Sequence, residues 1–350
     1  MSASRKVWSG LFLILVLGLS VYFLRPQAHS DTAVVLNPVS MEYQLPGHPE
    51  GPLRIEKILK ELKKQDLWGL LNQIDARMAT DSEILLVHSK EYLEQVKQWS
   101  QSDVFAYLTS EKWSPYGGPR AIESALTAAG GLIDLSEAVA KGQYHNGFAL
   151  VRPPGHHALP TKGMGFCIFN SIAIATQNLL QKKMAQRILI VDMDAHHGNG
   201  LEDIFKNASN VAYVSFHQKD IFPYSGYTST WNVINSPLTF LESEKSYLSK
   251  FDFLIPQVLE KFRPDFIFVS AGFDAHWRDY MSNLGLSLKG YAHLSEQLVK
   301  WADQYTHGKI VFSLEGGYDP EALSVGVANS IKALLKRNDF TDPIGSAPGS

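Results

Sequence analysis

The sequence predicts an α/β domain built on a mostly parallel β-sheet that carries helices on both faces. From about residue 31 onward, short β-rich runs alternate with longer amphipathic stretches, and this order is typical of such a sheet. The run ILIV at residues 188–191 is apolar at every position, as expected for a strand buried on both faces. The predicted strands are residues 33–36, 148–151, 188–191, 211–216, 266–270 and 310–314.

The segments between these strands carry apolar residues at helical spacing. Apolar residues from Ile55 to Leu62 share one face of a helix that starts near Pro52, where proline suits the first turn. Residues 248–262 form a second amphipathic face. Longer helices are predicted over residues 119–141, 170–183, 290–305 and 320–337. No Pro/Gly/Ser-rich linker divides residues 31–345, so we expect one domain there.

Composition supports a packed core and excludes two kinds of feature. Hydrophobic residues make up 45% of the 350 residues and aromatic residues 11%. The net charge of −3 gives no basis for a nucleic-acid-binding surface, so no direct nucleic-acid partner is expected. The single cysteine, Cys167, excludes an intrachain disulfide. Its apolar surroundings (GFCIF) predict a buried small hydrophobe rather than a nucleophile.

The N-terminal segment, residues 1–30, is predicted to be a signal anchor or a signal peptide rather than part of the fold. Arg5 and Lys6 precede a nearly uninterrupted apolar run at residues 11–24, which ends at Arg25. This length lies between a signal-peptide core and a full membrane span. We therefore expect a protein that is membrane-anchored by a single N-terminal pass, or exported to a compartment such as the periplasm, with a membrane contact through this segment.

The stretch RILIVDMDAHHGNG, residues 187–200, is the most informative part of the chain. Asp192, Asp194 and His196 follow the predicted strand at every second position, so their side chains can share one face of extended backbone. Two carboxylates and an imidazole crowded at a strand end favour a bound cation, and this ligand set suits zinc. Four other strands also lead into polar motifs, and the carboxyl ends of parallel strands meet at one edge of the sheet. The sequence therefore predicts a metal-containing active site at that edge.

Six motifs, read together, resemble those of a known family. They are GHPEGPLR (47–54), RPPGHHA (152–158), GFCIFNSIAIA (165–175), DMDAHHGNG (192–200), AGFDAH (271–276) and LEGGYD (314–319). Their set and order resemble the zinc-dependent histone deacetylase family, most of all its class II and bacterial acetylpolyamine amidohydrolase-like branches. The resemblance covers about residues 31–340. It implies a single arginase/deacetylase-like domain and an amidohydrolase that removes acetyl or short acyl groups from lysine side chains of proteins or peptides.

The resemblance also implies the residues that hold the metal. Asp194, His196 and Asp274 would bind Zn²⁺, in agreement with the spacing argument for the first two. Three protein ligands leave a position open for water and the substrate carbonyl, as a catalytic zinc requires. Arg54 is expected to tie the N-terminal element to the core.

Five further residues receive roles in catalysis from the same resemblance, four as catalytic residues and Asn199 as the partner that orients one of them. His157 would be the general base, oriented by Asn199, and His156 would pair with Asp192, which keeps it cationic. Tyr318, which follows two glycines, would donate a hydrogen bond to the oxygen that becomes negative during the reaction.

Substrate and ion contacts are implied in the same way. Phe166 and Phe222, with Gly165 beside the first, match the tunnel that grips the acyl-lysine chain. Asp192 and Ser215 resemble part of a site for K⁺ next to the zinc.

Several alternatives remain open at this point. Met281 stands where we align an acidic residue of polyamine-selective relatives, and its lack of charge favours acyl-lysine or a small acetamide over acetylpolyamines. Asp279 lies close to Met281, so acetylpolyamines stay open as alternative substrates. A dinuclear manganese ureohydrolase is disfavoured by Gly198, which stands where a second metal would need a carboxylate. A non-catalytic acyl-lysine-binding module is disfavoured because His157, Tyr318 and all three expected ligands are kept. The sequence also leaves a homo-oligomer open.

Overall fold

A computed structural model describes residues 30–101, 106–111 and 113–348 of the chain. Eight strands lie within these residues: β1 (Thr32–Leu36), β2 (Asn72–Asp75), β3 (Asn146–Leu150), β4 (Ile188–Asp192), β5 (Val211–Gln218), β6 (Val233–Leu238), β7 (Phe266–Ala271) and β8 (Ile310–Leu314). They form one sheet in the order β2-β1-β3-β8-β7-β4-β5-β6. Every strand pair is parallel, which confirms the predicted fold class.

Helices cover both faces of this sheet. Within the described ranges they are α1 (Leu53–Lys64), α2 (Asp81–Ile84), α3 (Lys90–Trp99), α4 (Ala121–Ala140), α5 (Ser171–Gln181), α6 (Asn199–Phe205), α7 (Glu244–Phe262), α8 (Leu288–Tyr305) and α9 (Pro320–Leu334). Short 3-10 helices span Pro38–Met41 and Trp68–Leu70. One apolar cluster joins α1, α7, α8 and α9 to one face of the sheet. A second joins α3, α4, α5 and α6 to the other face.

The central strands are apolar throughout because both of their faces are covered. In β4, Leu189 and Val191 belong to one apolar cluster, whereas Ile188 and Ile190 belong to the other. All four side chains are fully buried. Side chains alternate between the two faces of a strand, so a doubly covered strand needs apolar residues at consecutive positions.

All six predicted strands are present, and the structure adds the two edge strands, β2 and β6. Their sequences are NQID and VINSPL, and the second includes Pro237. An edge strand pairs on one side only, so it tolerates polar residues and proline that a central strand excludes. The apolar signal is therefore weak in both strands, and the sequence analysis missed them.

The six predicted helices are also present, and two of their N-termini bear on the site. The side chain of Asn170 accepts a hydrogen bond from the Ala173 N–H at the start of α5. The side chain of Asp319 accepts from the N–H groups of Glu321 and Ala322 at the start of α9. These caps satisfy donors that the first turn of a helix leaves unpaired.

The expected location of the protein needs correction. The predicted anchor or signal segment at residues 1–30 lies, except for Ser30, outside the described residues. Among the residues described, no helix combines the length and the apolar character needed to cross a membrane. Single-pass anchoring and a membrane contact thus have no support. On this finding, the predicted anchored or exported location is wrong. The described residues give no support to a homo-oligomer either.

Candidate active site

Asp194, His196 and Asp274 form a buried cluster beyond the carboxyl ends of β4 and β7. Nδ1 of His196 lies 3.1 Å from Oδ1 of Asp194 and 2.9 Å from Oδ2 of Asp274. The candidate ligand atoms of the three side chains all lie within 4.8 Å of one another. Two carboxylates and one imidazole are donors that zinc binds well, so the residues present fit this ion.

The backbone around the cluster leaves room for the two carboxylates and orients them. A Cβ atom at Gly316 would lie 2.5 Å from Oδ2 of both Asp194 and Asp274, and one at Gly272 would overlap Asp194. The Gly316 N–H donates to Oδ2 of Asp194 over 2.9 Å. The Ala195 N–H donates to Oδ1 of Asp274 over 2.8 Å. Both carboxylates are therefore held in fixed orientations before any ion binds.

Electrostatics in the cluster favour a cation. Burial raises the pKa of Asp274, and the nearby Asp194 carboxylate raises it further. Burial also acts to raise the pKa of Asp194, but His156 and His196 hold it below its usual value. Two buried carboxylates this close repel each other, and a bound divalent cation would relieve the repulsion.

His156 and His157 follow β3 on the turn RPPGHHA, with their ring centroids 3.9 Å apart. Nδ1 of His156 lies 3.0 Å from Oδ2 of Asp192, and Nδ1 of His157 lies 2.8 Å from Oδ1 of Asn199. Burial lowers the pKa of His157, and the charge of His156 lowers it further. Burial acts in the same direction on His156, but the Asp192, Asp194 and Glu315 carboxylates together outweigh it and raise the pKa of His156 to about 10. The site thus pairs a neutral imidazole with a cationic one.

Tyr318 lies just beyond the carboxyl end of β8 and follows two glycines. The second, Gly317, has φ +117°, a conformation that L side chains rarely adopt. The turn brings the phenol to a cavity that His157 also lines. The Tyr318 ring packs edge-on against Phe166, with ring centroids 5.9 Å apart. The predicted donor and the predicted base therefore face the same space.

That cavity has a volume of about 500 Å³ and aromatic walls. Phe166 and Phe222 both line it, and Phe222 lies edge-on to His157 with ring centroids 5.0 Å apart. Gly165 lines it as well, and a Cβ there would overlap the His157 ring. Trp113, which the sequence analysis missed, lies 5.9 Å from Phe166 and 6.4 Å from Phe222 between ring centroids. Such walls suit an unbranched aliphatic chain.

The open side of the cavity carries exposed aromatic and acidic residues. Tyr224 is 70% exposed and Tyr280 is 66% exposed, and both line the cavity. Met281 lines it too, together with Glu111 and Asp220. The cavity opening therefore combines two large aromatic surfaces with two carboxylates.

A buried ion-pair network, most of which the sequence analysis missed, supports the turn that carries Tyr318. Arg54 donates from Nε to the Gly317 carbonyl over 2.9 Å and from Nη2 to the Glu315 carbonyl. Its Nη1 also contacts Glu50, 3.3 Å away. Arg152 binds both carboxylate oxygens of Glu50, at 2.5 and 2.8 Å. Arg54 thus ties α1 to the core, as predicted, and it does so at the turn that carries Tyr318.

The predicted potassium residues are neighbours in the sheet. Asp192 of β4 pairs in register with Ser215 of β5. The Asp192 carboxylate accepts hydrogen bonds from the Asp194 N–H and from the Tyr213 hydroxyl. Oγ of Ser215 lies 2.8 Å from Nδ1 of His217.

The structure also bears on the dinuclear alternative. Gly198, where a second metal would need a carboxylate, donates its N–H to the Tyr213 hydroxyl over 3.1 Å. A second group of candidate ligands within the described residues, His156, Cys167 and Glu315, includes an imidazole that already bonds Asp192. Cys167 itself is buried, as predicted. These observations favour a single-metal site.

Comparison with known proteins agrees with the family that the sequence motifs resemble. The sequence model of one protein family, the histone deacetylase domain, matches residues 48–334 of this chain. The chain belongs to the histone deacetylase family. It is 34% identical over 287 residues to a probable deacetylase of Archaeoglobus fulgidus, covering 79% of this chain and 78% of that protein. It is 33% identical to the chloroplastic histone deacetylase 14 of Arabidopsis thaliana, covering 82% of this chain and 73% of that protein.

A solved structure agrees with this membership in the histone deacetylase family. The crystal structure of the HDA15 HD domain superimposes with a TM-score of 0.81 at 32% identity, covering 90% of this chain and 91% of that one. The fold is therefore the single arginase/deacetylase-like domain that the motifs implied. These relatives are named as a probable deacetylase and a histone deacetylase, which supports the interpretation of this chain as a hydrolase, and zinc dependence is general in this family.

Proposed function

We propose that this histone deacetylase family member is a zinc-dependent enzyme that removes acetyl or short acyl groups from lysine side chains of proteins or peptides. Residues 31–345 would form its catalytic domain. One observation carries the proposal: the Asp194, His196 and Asp274 cluster borders an aromatic-walled cavity that His157 and Tyr318 also line. A linear acyl-lysine fits such a cavity, and its amide would lie beside the cluster.

The metal would be held by Asp194, His196 and Asp274. When bound there, zinc supplies a Lewis acid that polarises the amide carbonyl and makes water more acidic. The remaining chemistry belongs to side chains of the chain itself.

His157 is proposed to transfer a proton from the attacking water to the leaving lysine nitrogen. Its Nδ1 lies 2.8 Å from Oδ1 of Asn199, an acceptor, so Nδ1 carries the hydrogen and Nε2 is the basic atom. The lowered pKa keeps His157 neutral, ready to take a proton from water as the water oxygen bonds to the carbonyl carbon. The same proton then passes to the leaving lysine nitrogen as the C–N bond breaks, which gives acetic acid and the free amine. Transfer of the acid proton to the amine then yields acetate and the lysine ammonium.

Two groups are proposed to stabilise the charge that develops. The Tyr318 hydroxyl would donate a hydrogen bond to the carbonyl oxygen as it becomes negative. His156, kept cationic by Asp192, adds a positive charge close to the same centre. We also propose that K⁺ binds beside Asp192 and Ser215, supported by their register pairing.

Hydrolysis of a substrate panel tests the proposal. Acetyl-lysine peptides and acetylpolyamines are incubated with the wild-type chain, with and without a chelator, and zinc is then added back. We expect peptide hydrolysis that the chelator abolishes and zinc restores. The double variant D194N/D274N should lose zinc and activity. The matched variant D265N removes a carboxylate that accepts backbone N–H groups at the amino end of β7, and it should keep both. Activity that survives the chelator or the double substitution would refute the metal mechanism.

Acetylpolyamine deacetylation is the second candidate. Glu111 and Asp220 line the cavity and would attract a cationic chain, although Glu111 is already paired with Lys162. A kcat/KM for acetylpolyamines above that for every peptide would favour this candidate. A chain that is inert towards the whole panel although it contains zinc would favour a binding module.

A further inference from the structure

Asp279 has no role in the mechanism above, yet it lies directly behind the proposed oxyanion donor. It sits on the loop between β7 and α8 and is only 3% exposed. Its Oδ2 accepts the N–H of Tyr318 over 2.5 Å and that of Asp319 over 2.9 Å. Its Oδ1 accepts the N–H of Met281 over 3.0 Å. The carboxylate therefore joins the cavity opening to the catalytic turn, instead of facing substrate.

The turn at residues 315–319 needs such support because of its own sequence. Two consecutive glycines precede Tyr318, and glycine restricts the backbone least. The Asp319 side chain caps α9 but does not bond the Tyr318 N–H. The N–H group that sets the position of the phenol is therefore held from outside the turn, by a residue 39 positions earlier.

Two buried side chains of opposite charge hold the turn from two sides. Arg54 donates to the carbonyls of Glu315 and Gly317. Asp279 accepts from the N–H groups of Tyr318 and Asp319. Arg54 thus binds two carbonyls of the turn and Asp279 binds two of its N–H groups, so these hydrogen bonds fix the peptide planes on both sides of Tyr318.

Keeping this carboxylate buried is costly, which indicates that it has a specific role. Burial and the neighbouring Asp274 carboxylate raise the pKa of Asp279 to about 7, whereas the N–H groups of Tyr318 and Met281 act to lower it. A buried charge is tolerated when its hydrogen bonds are satisfied, and both of its oxygens are satisfied here. An amide in its place has one acceptor oxygen, so its NH2 group would face N–H donors.

We propose that Asp279 is a positioning residue of the deacetylase reaction: it acts through Tyr318, by fixing the backbone that places the Tyr318 hydroxyl. This inference rests on the proposed function for its kinetic part. It differs from a general stabilising role in one respect, because removing the Tyr318 hydroxyl should remove the kinetic effect of Asp279 as well.

A double-mutant cycle tests the kinetic part on the zinc-loaded chain with an acetyl-lysine peptide. D279N should lower kcat about 10-fold or more while KM changes less than about threefold. In the Y318F background the same substitution should leave kcat within about twofold. An equal loss in both backgrounds would overturn the proposal, as would full activity of D279N. D265N, which removes a carboxylate with two backbone N–H partners far from the site, serves as the matched control.

Amide hydrogen exchange tests the structural part without relying on activity. In the metal-free chain, D279N should speed exchange in the peptide that contains Tyr318 and Asp319, and D265N should not. Unchanged exchange would overturn the proposal even if kcat fell. An inactive wild-type chain would refute the proposed function, while the exchange comparison would still decide the role of Asp279. If D279N does not fold, D279E replaces it, because it keeps the charge but displaces both oxygens. D279E should likewise lower kcat only when the Tyr318 hydroxyl is present, and it should speed amide exchange at Tyr318 and Asp319.

Discussion

Replacing Gly316 by alanine tests the metal cluster with a single methyl group. The new Cβ would lie 2.5 Å from Oδ2 of Asp194 and 2.5 Å from Oδ2 of Asp274, whereas ordinary contact begins at 3.4 Å. Each oxygen must then retreat by the difference of about 0.9 Å, which exceeds the tolerance of roughly 0.2 Å on metal–ligand distances. Gly316 is not among the positive-φ glycines, so the alanine backbone itself is not strained.

We expect the affinity of G316A for zinc to fall at least roughly 10- to 100-fold, the usual effect of disturbing the residues that orient metal ligands. Zinc retained after dialysis against a graded series of chelators, measured by mass spectrometry, gives the affinity. Circular dichroism verifies that the variant is folded. Deacetylase activity at limiting zinc should fall in parallel with the zinc content.

The matched control is G51A. A Cβ at Gly51 would meet only the His48 carbonyl oxygen, at 3.5 Å, and Gly51 also lacks a positive φ. This variant should retain zinc like the wild-type chain. If G316A binds zinc as tightly as G51A, then the two carboxylates do not hold the ion and the assignment of the metal site is wrong.

Three further predictions concern catalysis and stability. Tyr318→Phe keeps the ring contacts but removes the hydroxyl, so kcat should fall about 100- to 1,000-fold with zinc content unchanged; steady-state kinetics that match the wild type would disprove the donor role. Glu50→Gln leaves the Arg152 guanidinium buried without its counter-ion and should lower the free energy of unfolding in urea by about 3–5 kcal/mol; a loss below 1 kcal/mol would contradict this. Burial lowers the pKa of His88 from 6.5 to about 4, so the folded chain binds this proton less readily than the unfolded chain does. The stability that neutral, buried His88 contributes is complete above pH 6.5 and is lost as the pH falls. The free energy of unfolding should therefore fall by about 3 kcal/mol between pH 6.5 and 4. His88→Gln should show a smaller fall, and equal slopes in the two proteins would exclude this cause.

The central sheet and two of the candidate ligands, Asp194 and His196, could be predicted because their signals are local, whereas Asp274 came from the family resemblance. An uninterrupted apolar run such as ILIV at residues 188–191 marks a doubly covered strand, and polar residues that begin where it ends belong to the carboxyl edge. The edge strands β2 and β6 lack that signal. Trp113 could not be found because nothing near it in sequence indicates that it packs against Phe166 and Phe222, 53 and 109 positions away.

The backbone partners of buried Arg152 and Glu315 could not be predicted for a related reason, and their positions explain how irregular loops can surround this site. Loops beyond the strand ends carry backbone groups that no neighbouring strand pairs, and burying those groups requires other partners. Arg152 donates to the carbonyls of Ser40 and Tyr43, and Glu315 accepts from the N–H groups of Gly155 and His156. These contacts span from 109 to 160 positions, so no local pattern reveals them. Arg152 and Glu315 are thus partners of the loop backbone, and the positions of the proposed catalytic side chains depend on how firmly those loops are held.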